Sequence, residues 1–468
     1  MKKSLTNTPI NRRHFLKAAG AAIVLPTLLP SSVLGRSGKV APSNKINMGV
    51  MGWGMQGPSN TNSFLVEEDC QVVAACDLDK NHLQQAVDTV NEHYGNKACA
   101  AYHDYREMLA RPDLDAVMIA IPDHWHALAA TEAARRKLDI YGEKPLAKTI
   151  AEQQAIVKAV EENKVIWQTG SWQRSQPPFH KAAEIVRNGL IGEVTRVEVG
   201  LPSGHFDFAG TAPELLQKLA TLPEKITDLS KVTPGTAAWN LAITEPPADF
   251  DFETWIGPSK MEPYIKQRVH MDWRWNYNTG GGQLLDWIGH HCDIAHWGLG
   301  FDNDGPSEIE GHGEFPAPDA LWNTCKKYRI ELKYPRNVTM VIAGGHGDIR
   351  SGAKWIGTEG WVWVDRGGFE ASNPEWKKGR NLPDELRKTK LYESPGHWRN
   401  FLDCVKSRQP TIAPVETAHH SAIPGHLGLI SMLSGRKIRW NAKTEEILDD
   451  ADASKLLTRS YRAPWHLA

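Results

Sequence analysis

The sequence predicts an α/β protein in two parts, a doubly wound parallel sheet followed by an α+β domain that contains a large open mixed sheet. Between residues 46 and 169, short apolar segments alternate with helical stretches of about 10 to 15 residues, which is typical of parallel βαβ units. From about residue 173 this rhythm changes, and strand-like segments recur at longer spacing. The 468 residues also exceed one ordinary domain. We therefore expect domain boundaries at 45–172 and 173–468.

Apolar runs and helical patterns place the individual elements. The predicted strands of the first part are 46–51, 71–76, 115–121, 140–141 and 165–169. One predicted helix directly follows the first strand, and three further helices are predicted at 81–94, 127–137 and 150–162. The second part is expected to begin with a helix at 179–188 and a strand at 194–199. The polar, proline-rich stretch 203–258 is expected to be an insertion or a long loop.

The N-terminus predicts an export signal. Arg12 and Arg13 precede Phe15-Leu16-Lys17, an apolar run over 18–29, and small residues near position 35. This pattern resembles twin-arginine signals, which carry folded proteins across the bacterial inner membrane. The run is too short for a membrane span. We expect a signal peptide at 1–35, a linker at 36–44 and a periplasmic protein; the alternative is a basic N-terminus that arose by chance.

Composition excludes several partner classes. The formal net charge of −1 argues against nucleic acid and anionic membranes, and no later segment is apolar enough to span a bilayer. The six cysteines are scattered without zinc-like spacing. The 18 tryptophans suit core packing, and they also suit stacking on sugar rings.

A glycine-rich turn after the first strand predicts a dinucleotide site. Gly52, Gly54 and Gly57 form the pattern G-x-G-x-x-G between a predicted strand and a predicted helix, with Trp53, Met55 and Gln56 between them. The spacing suits a tight turn, a close approach of backbone to pyrophosphate, and close helix–strand packing. Asp77 ends the next strand 20 residues after Gly57, where a carboxylate accepts the ribose hydroxyls and repels a 2′-phosphate. The expected cofactor is therefore NAD.

Two further segments carry groups for proton transfer. Lys144, in Glu143-Lys144-Pro145, follows a strand at the carboxyl edge of the sheet, where ligands bind in open α/β folds. Asp286 and His290 follow Gly280–Gly282 and lie at i and i+4 if the segment is helical, so that a carboxylate orients the imidazole of a general base. Asp293 is placed to do the same from the other side. The alternatives are a solvated lysine and a helix used for capping and packing.

These motifs together resemble the Gfo/Idh/MocA (glucose–fructose oxidoreductase/inositol dehydrogenase) family, in order from about residue 45 to the C-terminus. The resemblance implies a Rossmann domain and a catalytic trio of Lys144, Asp286 and His290. It implies further cofactor contacts from Glu143, Lys144 and a loop after the fourth strand that contains Pro122, His124 and His126. It implies that Trp172, Gln173 and Arg174 face the substrate; we also expect His291, which doubles the family's histidine, to face it. It also implies homodimers or homotetramers built through the open sheet.

Two points stay open. His290, His291 and Asp293 together offer ligands for a divalent metal, but adjacent helical residues point about 100° apart, so no metal is expected. The pair His419-His420 either reaches the sugar or lies on the surface.

Export shapes the expected chemistry, because no nucleotide pool recharges NAD outside the cytosol. We expect a tightly bound cofactor that each cycle returns to its starting state. The first hypothesis is an oxidoreductase that acts on a hydroxyl, with C3 as the expected position, of a sugar or glycoside. The second is a redox-neutral glycosidase that works by oxidation, elimination, hydration and re-reduction. The third is a non-catalytic sugar-binding protein, against which the intact Lys144, Asp286 and His290 argue.

Overall fold

The computed structural model describes residues 40–467, and residues from Ile46 onward form one compact unit. The short segment before Ile46 belongs to a separate unit and contains one 3-10 turn, Pro42–Asn44. The predicted signal peptide 1–35 and residues 36–39 of the predicted linker 36–44 lie outside the described residues. The division at residue 172 stays a prediction, since the compact unit contains both sheets described below.

The first sheet is parallel throughout, as predicted. Its six strands run in the order β3-β2-β1-β4-β5-β6. The strands are β1 (Ile46–Met51), β2 (Cys70–Cys76), β3 (Ala100–Tyr102), β4 (Ala116–Ile119), β5 (Asp139–Gly142) and β6 (Trp167–Thr169). The accompanying helices are α1 (Gln56–Leu65), α2 (Lys80–Tyr94), α3 (Tyr105–Leu109), α4 (Asp123–Arg135) and α5 (Ile150–Asn163). The strand order reverses between β1 and β4, so a crevice opens at their carboxyl ends.

One prediction in this part is wrong. Pro122, His124 and His126 were expected in a loop, with the helix beginning at residue 127, but α4 begins at Asp123. Pro122 caps the helix with an extended backbone, and Asp123 places a carboxylate in the first turn, where the helix dipole favours negative charge. Strand β3 and helix α3 were missed because each is too short for a periodic pattern.

The second sheet is large and mixed, as predicted. Its nine strands run in the order β13-β12-β11-β7-β10-β9-β8-β14-β15, with only the β7–β10 pair parallel. They are β7 (Val194–Leu201), β8 (Glu308–Glu314), β9 (Lys327–Tyr334), β10 (Val338–Gly344), β11 (Gly352–Gly357), β12 (Trp361–Asp365), β13 (Gly368–Ala371), β14 (Ile438–Asn441) and β15 (Glu446–Leu448). Helices α6 (Pro177–Arg187), α10 (Gly282–Leu299) and α12 (Val415–Ser434) pack together with this sheet around a continuous apolar core.

The stretch 203–258 is more ordered than a long loop. It contains α7 (Ala212–Leu219), α8 (Ala237–Ala242) and α9 (Phe252–Ile256). Its buried Leu215, Leu229 and Trp239 form a separate core with Trp275 and Trp322. Proline and polar residues hid these short amphipathic helices from the sequence pattern. The same core anchors the 3-10 segment His270–Trp275, which carries residues of the site.

The C-terminal elements return to the first sheet. Helix α11 (His397–Ser407) packs Phe401 against Phe64 and Tyr141, on one face of the parallel sheet. The last α-helix is α13 (Ala451–Ser454), which is followed by a 3-10 turn, Lys455–Leu457, and by irregular chain that reaches the crevice at Trp465. In the described part of the chain, no helix has the length and apolar character that a membrane crossing requires.

Candidate active site

The glycine turn divides into two packing positions and one open position. Gly52 has φ +91°, and a Cβ there would lie 2.3 Å from the Ala120 carbonyl oxygen. A Cβ at Gly57 would lie 2.0 Å from the Gly52 carbonyl oxygen. At Gly54, by contrast, a Cβ would meet no described atom within 4 Å. Gly52 and Gly57 therefore serve strand–helix packing, while Gly54 leaves space for a ligand to approach the backbone, as a pyrophosphate requires.

Asp77 lies beside this turn at the end of β2. Its Oδ2 accepts a hydrogen bond from the Trp53 backbone N–H at 2.7 Å, and its Oδ1 accepts one from the Asp79 N–H at 2.9 Å. Burial raises the pKa of Asp77, and these two hydrogen bonds and His82 oppose the rise. The carboxylate is thereby fixed at the position where a ribose diol is bound in dinucleotide folds.

A cleft with about 1450 Å³ of empty space runs along the carboxyl ends of β1, β2 and β4. Of the sequence-predicted residues, those that line it are Gly52, Trp53, Gly54, Met55, Gln56, Asp77, Pro122, Glu143 and Lys144. The cleft thus joins the glycine turn to the predicted catalytic lysine.

Lys144 and Asp286 meet at the inner end of the cleft. The Lys144 Nζ donates to the Asp286 Oδ1 at 3.0 Å and to the Asp286 carbonyl oxygen at 2.8 Å. Arg274 Nε donates to the same Oδ1 at 3.0 Å. Although Asp286 is buried, these two cations lower its pKa to about 2. The carboxylate is ionised at neutral pH and holds the lysine ammonium in a fixed position.

His290 lies one turn after Asp286 on α10, on the same face of the helix as predicted. Its side chain is buried, and the Nδ1 atom has no hydrogen-bond partner among the described residues. Burial first, and then the positive charges of Lys144 and Arg366, hold its pKa well below the usual value. The imidazole is therefore neutral at neutral pH and can accept a proton.

The expected carboxylate–imidazole pairs are wrong. The Asp286 carboxylate is bound by Lys144 and Arg274, and no hydrogen bond joins it to His290 among the described residues. Asp293 is two turns from Asp286 and is bound by Arg174 in the core. Sequence spacing predicted the shared face, whereas cations from distant segments decided which partner each carboxylate takes.

Asp123 is a further acid that lines the cleft, and it lies close enough to Asp286 for the two charges to interact. It lies in the first turn of α4, where the helix dipole favours its ionised form by up to about 2 kcal/mol. Burial and the nearby Asp286 charge have the opposite effect and raise its pKa to about 7. Burial dominates, so Asp123 changes its protonation state near neutral pH.

Four predicted contact residues have polar side-chain atoms that are engaged within the protein. Arg174 is buried and binds Asp293 at 2.7 and 2.8 Å and Asp302 at 2.7 Å, so it has no fork left for a substrate. His291 is fully buried, with its Nδ1 2.8 Å from the Gly200 carbonyl oxygen of the mixed sheet. His124 Nε2 lies 2.8 Å from the Trp255 carbonyl oxygen, and the nitrogens of His126 lie 2.8 Å from the Ile121 and Pro145 carbonyl oxygens.

The same contacts decide the two open points. A metal held jointly by His290, His291 and Asp293 does not fit, because His291 faces the sheet and both Asp293 oxygens bind Arg174. His419 neither reaches the cleft nor lies on the surface. It is buried between α5 and α12, with its ring nitrogens 2.8 Å from Gln153 Oε1 and Glu445 Oε1. His420 lies beside it, 3.6 Å from Glu445.

Trp172 and Gln173 do lie beside the site. The rings of Trp172 and His290 are 6.4 Å apart. In the amide orientation that satisfies both neighbours, Gln173 donates to the His290 carbonyl oxygen at 3.0 Å and accepts from Arg366 Nε at 3.1 Å. Gln173 is fully buried, so it positions its neighbours.

Sequence reasoning missed three residues of the site. Arg274 carries a weak signal, since a lone arginine between Trp273 and Trp275 shortly precedes the three glycines. Arg366 lies in the turn between β12 and β13, and nothing in its local sequence marks it. Trp465, near the C-terminus, lines the cleft and packs on Trp125 with ring centroids 4.7 Å apart. Each comes from a segment whose position only the tertiary fold determines.

Comparison with known protein families decides the assignment. The model of the oxidoreductase family's NAD-binding Rossmann fold matches residues 46–171, and that of the same family's C-terminal α/β domain matches residues 235–467. The chain belongs to the Gfo/Idh/MocA oxidoreductase family. The predicted fold and the predicted NAD-binding domain are thereby confirmed.

Several curated proteins are similar to this chain in sequence. Glycosyl hydrolase family 109 protein 1 of Shewanella sp. strain MR-4 is 30% identical over 210 residues, which cover 40% of this chain and 45% of that protein. The alpha-N-acetylgalactosaminidase of Shewanella oneidensis has the same identity and coverage. The matched segment therefore spans less than half the length of these curated relatives.

Solved structures show the same fold over most of the chain. Aldose-aldose oxidoreductase from Caulobacter crescentus, complexed with glycerol, superposes with a TM-score of 0.56 at 17% identity, covering 84% of this chain and 99% of that one. Levoglucosan dehydrogenase, in complex with NADH and levoglucosan, gives a TM-score of 0.57 at 15% identity with the same coverage. At such identities the likeness establishes the fold.

Proposed function

We propose that this protein is an NAD-dependent oxidoreductase that acts on a hydroxyl of a sugar or glycoside, with ring C3 as the expected position. The observation that carries the proposal is the Lys144–Asp286 pair at 3.0 Å, at the inner end of the cleft that begins at the glycine turn. The solved relatives named above include enzymes whose names state sugar redox chemistry, which supports the substrate class.

The residues divide the work of removing a proton from the reacting hydroxyl. When bound, NAD⁺ supplies the hydride acceptor. The neutral His290 accepts the hydroxyl proton, and the Lys144 ammonium donates a hydrogen bond to the same oxygen as it develops carbonyl character. Asp286 holds Lys144 in position and balances the positive charges of Lys144 and Arg274. His290 and Lys144 contact the reacting group, and Asp286 positions Lys144.

A tightly held cofactor is supported by the C-terminal segment. Arg459 donates to the His124 carbonyl oxygen at 2.7 Å and to Glu152 at 2.8 Å, and Arg462 donates to the Gly257 carbonyl oxygen at 2.9 Å. These bonds fix the chain so that Trp465 lies against the cleft. A segment fastened at several points across the rim slows release of a bound dinucleotide.

A second candidate is a redox-neutral glycoside hydrolase, and the relatives named glycosyl hydrolase family 109 and alpha-N-acetylgalactosaminidase favour it. Oxidation of the C3 hydroxyl acidifies the neighbouring C2–H. Loss of the C2 proton and of the aglycone, addition of water at C1 and return of the hydride to C3 give net hydrolysis. The same residues serve both candidates, because both begin with oxidation of one hydroxyl.

We further propose that the chain is exported by the twin-arginine route and acts in the periplasm as a homodimer or homotetramer. The support is the Arg12-Arg13 motif and the following apolar run, together with the wide open sheet of the C-terminal domain. Folding before export allows the cofactor to be loaded in the cytosol.

The first experiment is to purify the protein without added nucleotide, denature it, and quantify released NAD and NADH. Near-stoichiometric nucleotide supports a carried cofactor, and glycosides are then assayed without an external acceptor. Release of sugar from its aglycone favours the hydrolase, whereas oxidised sugar coupled to reduction of a second carbonyl favours the oxidoreductase. A preparation without nucleotide contradicts the recycled cofactor and favours an ordinary exchanging sugar dehydrogenase.

The His290→Ala variant tests the assignment of the base. Turnover should fall by roughly 10²–10⁴-fold, while the nucleotide content stays as in the wild type. His205→Ala is the matched control, because His205 is a largely buried histidine in the insertion whose Nε2 bonds Thr324 rather than a cleft residue. Full turnover by the His290 variant would show that another group takes the proton.

A further inference from the structure

Arg366 is enclosed by two indole rings beside His290. Its guanidinium carbon lies 4.6 Å from the ring centroid of Trp172 and 4.5 Å from that of Trp287. Both indoles also contact the imidazole of His290, with centroid separations of 6.4 and 5.4 Å. Cation–π contacts on two sides fix the orientation of a planar guanidinium without using its N–H groups.

Most hydrogen-bonding groups of Arg366 are unused. Its Nε is bound by Gln173 in the orientation described above, whereas no described residue accepts a hydrogen bond from Nη1 or Nη2. Arg174 and Arg274, by contrast, donate to carboxylates. Asp365 is adjacent in sequence, but its carboxylate lies 3.2 Å from His291 and is not bonded to the guanidinium. Arg366 is also exposed to solvent, so its fork is available to a ligand.

The donors of Arg366 suit an anion. Asp365 and Asp286 act on the guanidinium through space, and neither carboxylate accepts a hydrogen bond from it. The oriented Nη1 and Nη2 donors match the two oxygens of a carboxylate or of a sulfate group. An acidic sugar would therefore form charge-assisted hydrogen bonds with both donors, whereas a neutral sugar would offer only uncharged hydroxyl oxygens.

We propose that the site takes an acidic carbohydrate, whose carboxylate or sulfate is bound by the fork of Arg366 while the reacting hydroxyl faces His290 and Lys144. This inference rests on the proposed sugar-binding function and adds the substrate class. Trp172, Trp287 and Gln173 act as positioning residues, because they hold the guanidinium and do not themselves supply the charge.

The test measures equilibrium binding to the purified protein with its bound nucleotide, by isothermal titration calorimetry, with matched ligands. The probes are the methyl α- and β-glycosides of glucose and galactose, of the corresponding uronic acids, and of the 6-sulfated sugars. We expect at least one acidic probe to bind about 10- to 100-fold more tightly than its neutral counterpart, as hydrogen bonds between charged groups do. A preference for uronides or for sulfates distinguishes the two anionic groups.

Three variants assign the effect. Arg366→Gln should reduce binding of the acidic probe to the level of the neutral one, and Arg366→Lys should keep part of the preference because it retains the charge without the fork. Arg350→Gln is the control, since Arg350 also stacks on a tryptophan, Trp363, but pairs with Glu370 at 2.9 Å. A wild type without acidic preference, or an Arg366→Gln variant that keeps it, overturns the inference.

Nucleotide absorbance in the same samples separates this inference from the proposed function. Reduction of the bound nucleotide by neutral sugars, without any acidic preference, would overturn only the acidic-substrate inference. An acidic preference that depends on Arg366, with no ligand ever changing the redox state of the nucleotide, would support the assignment of Arg366 and contradict the proposed redox activity.

Discussion

Helix α10 carries two buried aspartates that look alike in sequence and do different work. Asp286 and Asp293 are seven residues apart, so they share one face of the helix and lie about 10 Å apart along its axis. Asp286 meets Lys144 from the edge of the parallel sheet and Arg274 from the 3-10 segment, next to the cleft. Asp293 meets Arg174 and lies in the core. The two aspartates therefore occupy the same face of the helix and differ only in their position along its axis, which places Asp286 at the site and Asp293 in the core.

The two carboxylates also differ in how cations are shared. At Asp286 one oxygen accepts from two cations, Lys144 and Arg274, each at 3.0 Å, and both cations line the cleft. At Asp293 both oxygens accept from the single Arg174, which also binds Asp302. The arrangement at Asp286 leaves a cation accessible to substrate, whereas at Asp293 every side-chain nitrogen of Arg174 donates to a carboxylate. We therefore expect Asp286 to affect turnover and Asp293 to affect stability.

The largest expected effect follows from Asp286→Asn. The neutral amide cannot balance Lys144 and Arg274, so the ammonium loses its fixed position and turnover should fall by roughly 10²–10⁴-fold. The measurement is kcat on whichever sugar changes the redox state of the bound nucleotide, with nucleotide content determined in parallel. An Asp286→Asn enzyme within tenfold of the wild type would remove the distinction between the two aspartates.

The second effect follows from Asp293→Asn. The neutral amide leaves Arg174 with only the partly exposed Asp302 as a charged partner, which should lower the free energy of unfolding by up to about 3–5 kcal/mol. Turnover per folded molecule should stay within a few-fold of the wild type. Urea unfolding measures the first quantity and kcat the second. Asp452→Asn is the control, because its pair with Lys455 is exposed and should contribute less than about 1 kcal/mol. A stable but inactive Asp293→Asn protein would place Asp293 in the site.

The comparison also shows how far the sequence alone leads. The glycine turn, Asp77 and Lys144 were placed correctly because local patterns define them: a strand end, a tight turn, and the edge of a parallel sheet. The helical spacing of Asp286 and His290 likewise predicted their common face. These features depend on residues close together in the chain, which periodicity and turn chemistry describe well.

The remaining parts of the site depend on long-range packing. Arg274 reaches Asp286 because the insertion folds around its own core, and Arg366 reaches His290 through a hairpin turn of the mixed sheet. Arg174 was expected to face the substrate because its segment resembles the family's segment on the substrate side, but it binds the buried Asp293 and the partly exposed Asp302. No local pattern specifies which of several arginines meets which carboxylate, so sequence reasoning could not assign them.

The smallest of the three effects is the dependence of stability on pH that arises from Asp123, the acid of α4 that lines the cleft. Because the pKa of Asp123 is about 7 in the folded protein and near 4 in the unfolded chain, the folded protein binds this proton more tightly. The contribution of Asp123 to stability is therefore complete below about pH 4 and is lost as the pH rises through about 7. In the wild type, burial of the charged form then costs at most about 4 kcal/mol.

The Asp123→Asn variant removes this cost, because a neutral amide does not ionise. The difference in the free energy of unfolding, variant minus wild type, should therefore become more positive as the pH rises from about 4 to about 7 and should level off above that. Urea unfolding of both proteins at several pH values measures this difference. A difference for Asp123→Asn that does not change with pH would show that this acid is already ionised at low pH, and the cleft would then hold a second permanent negative charge beside Asp286.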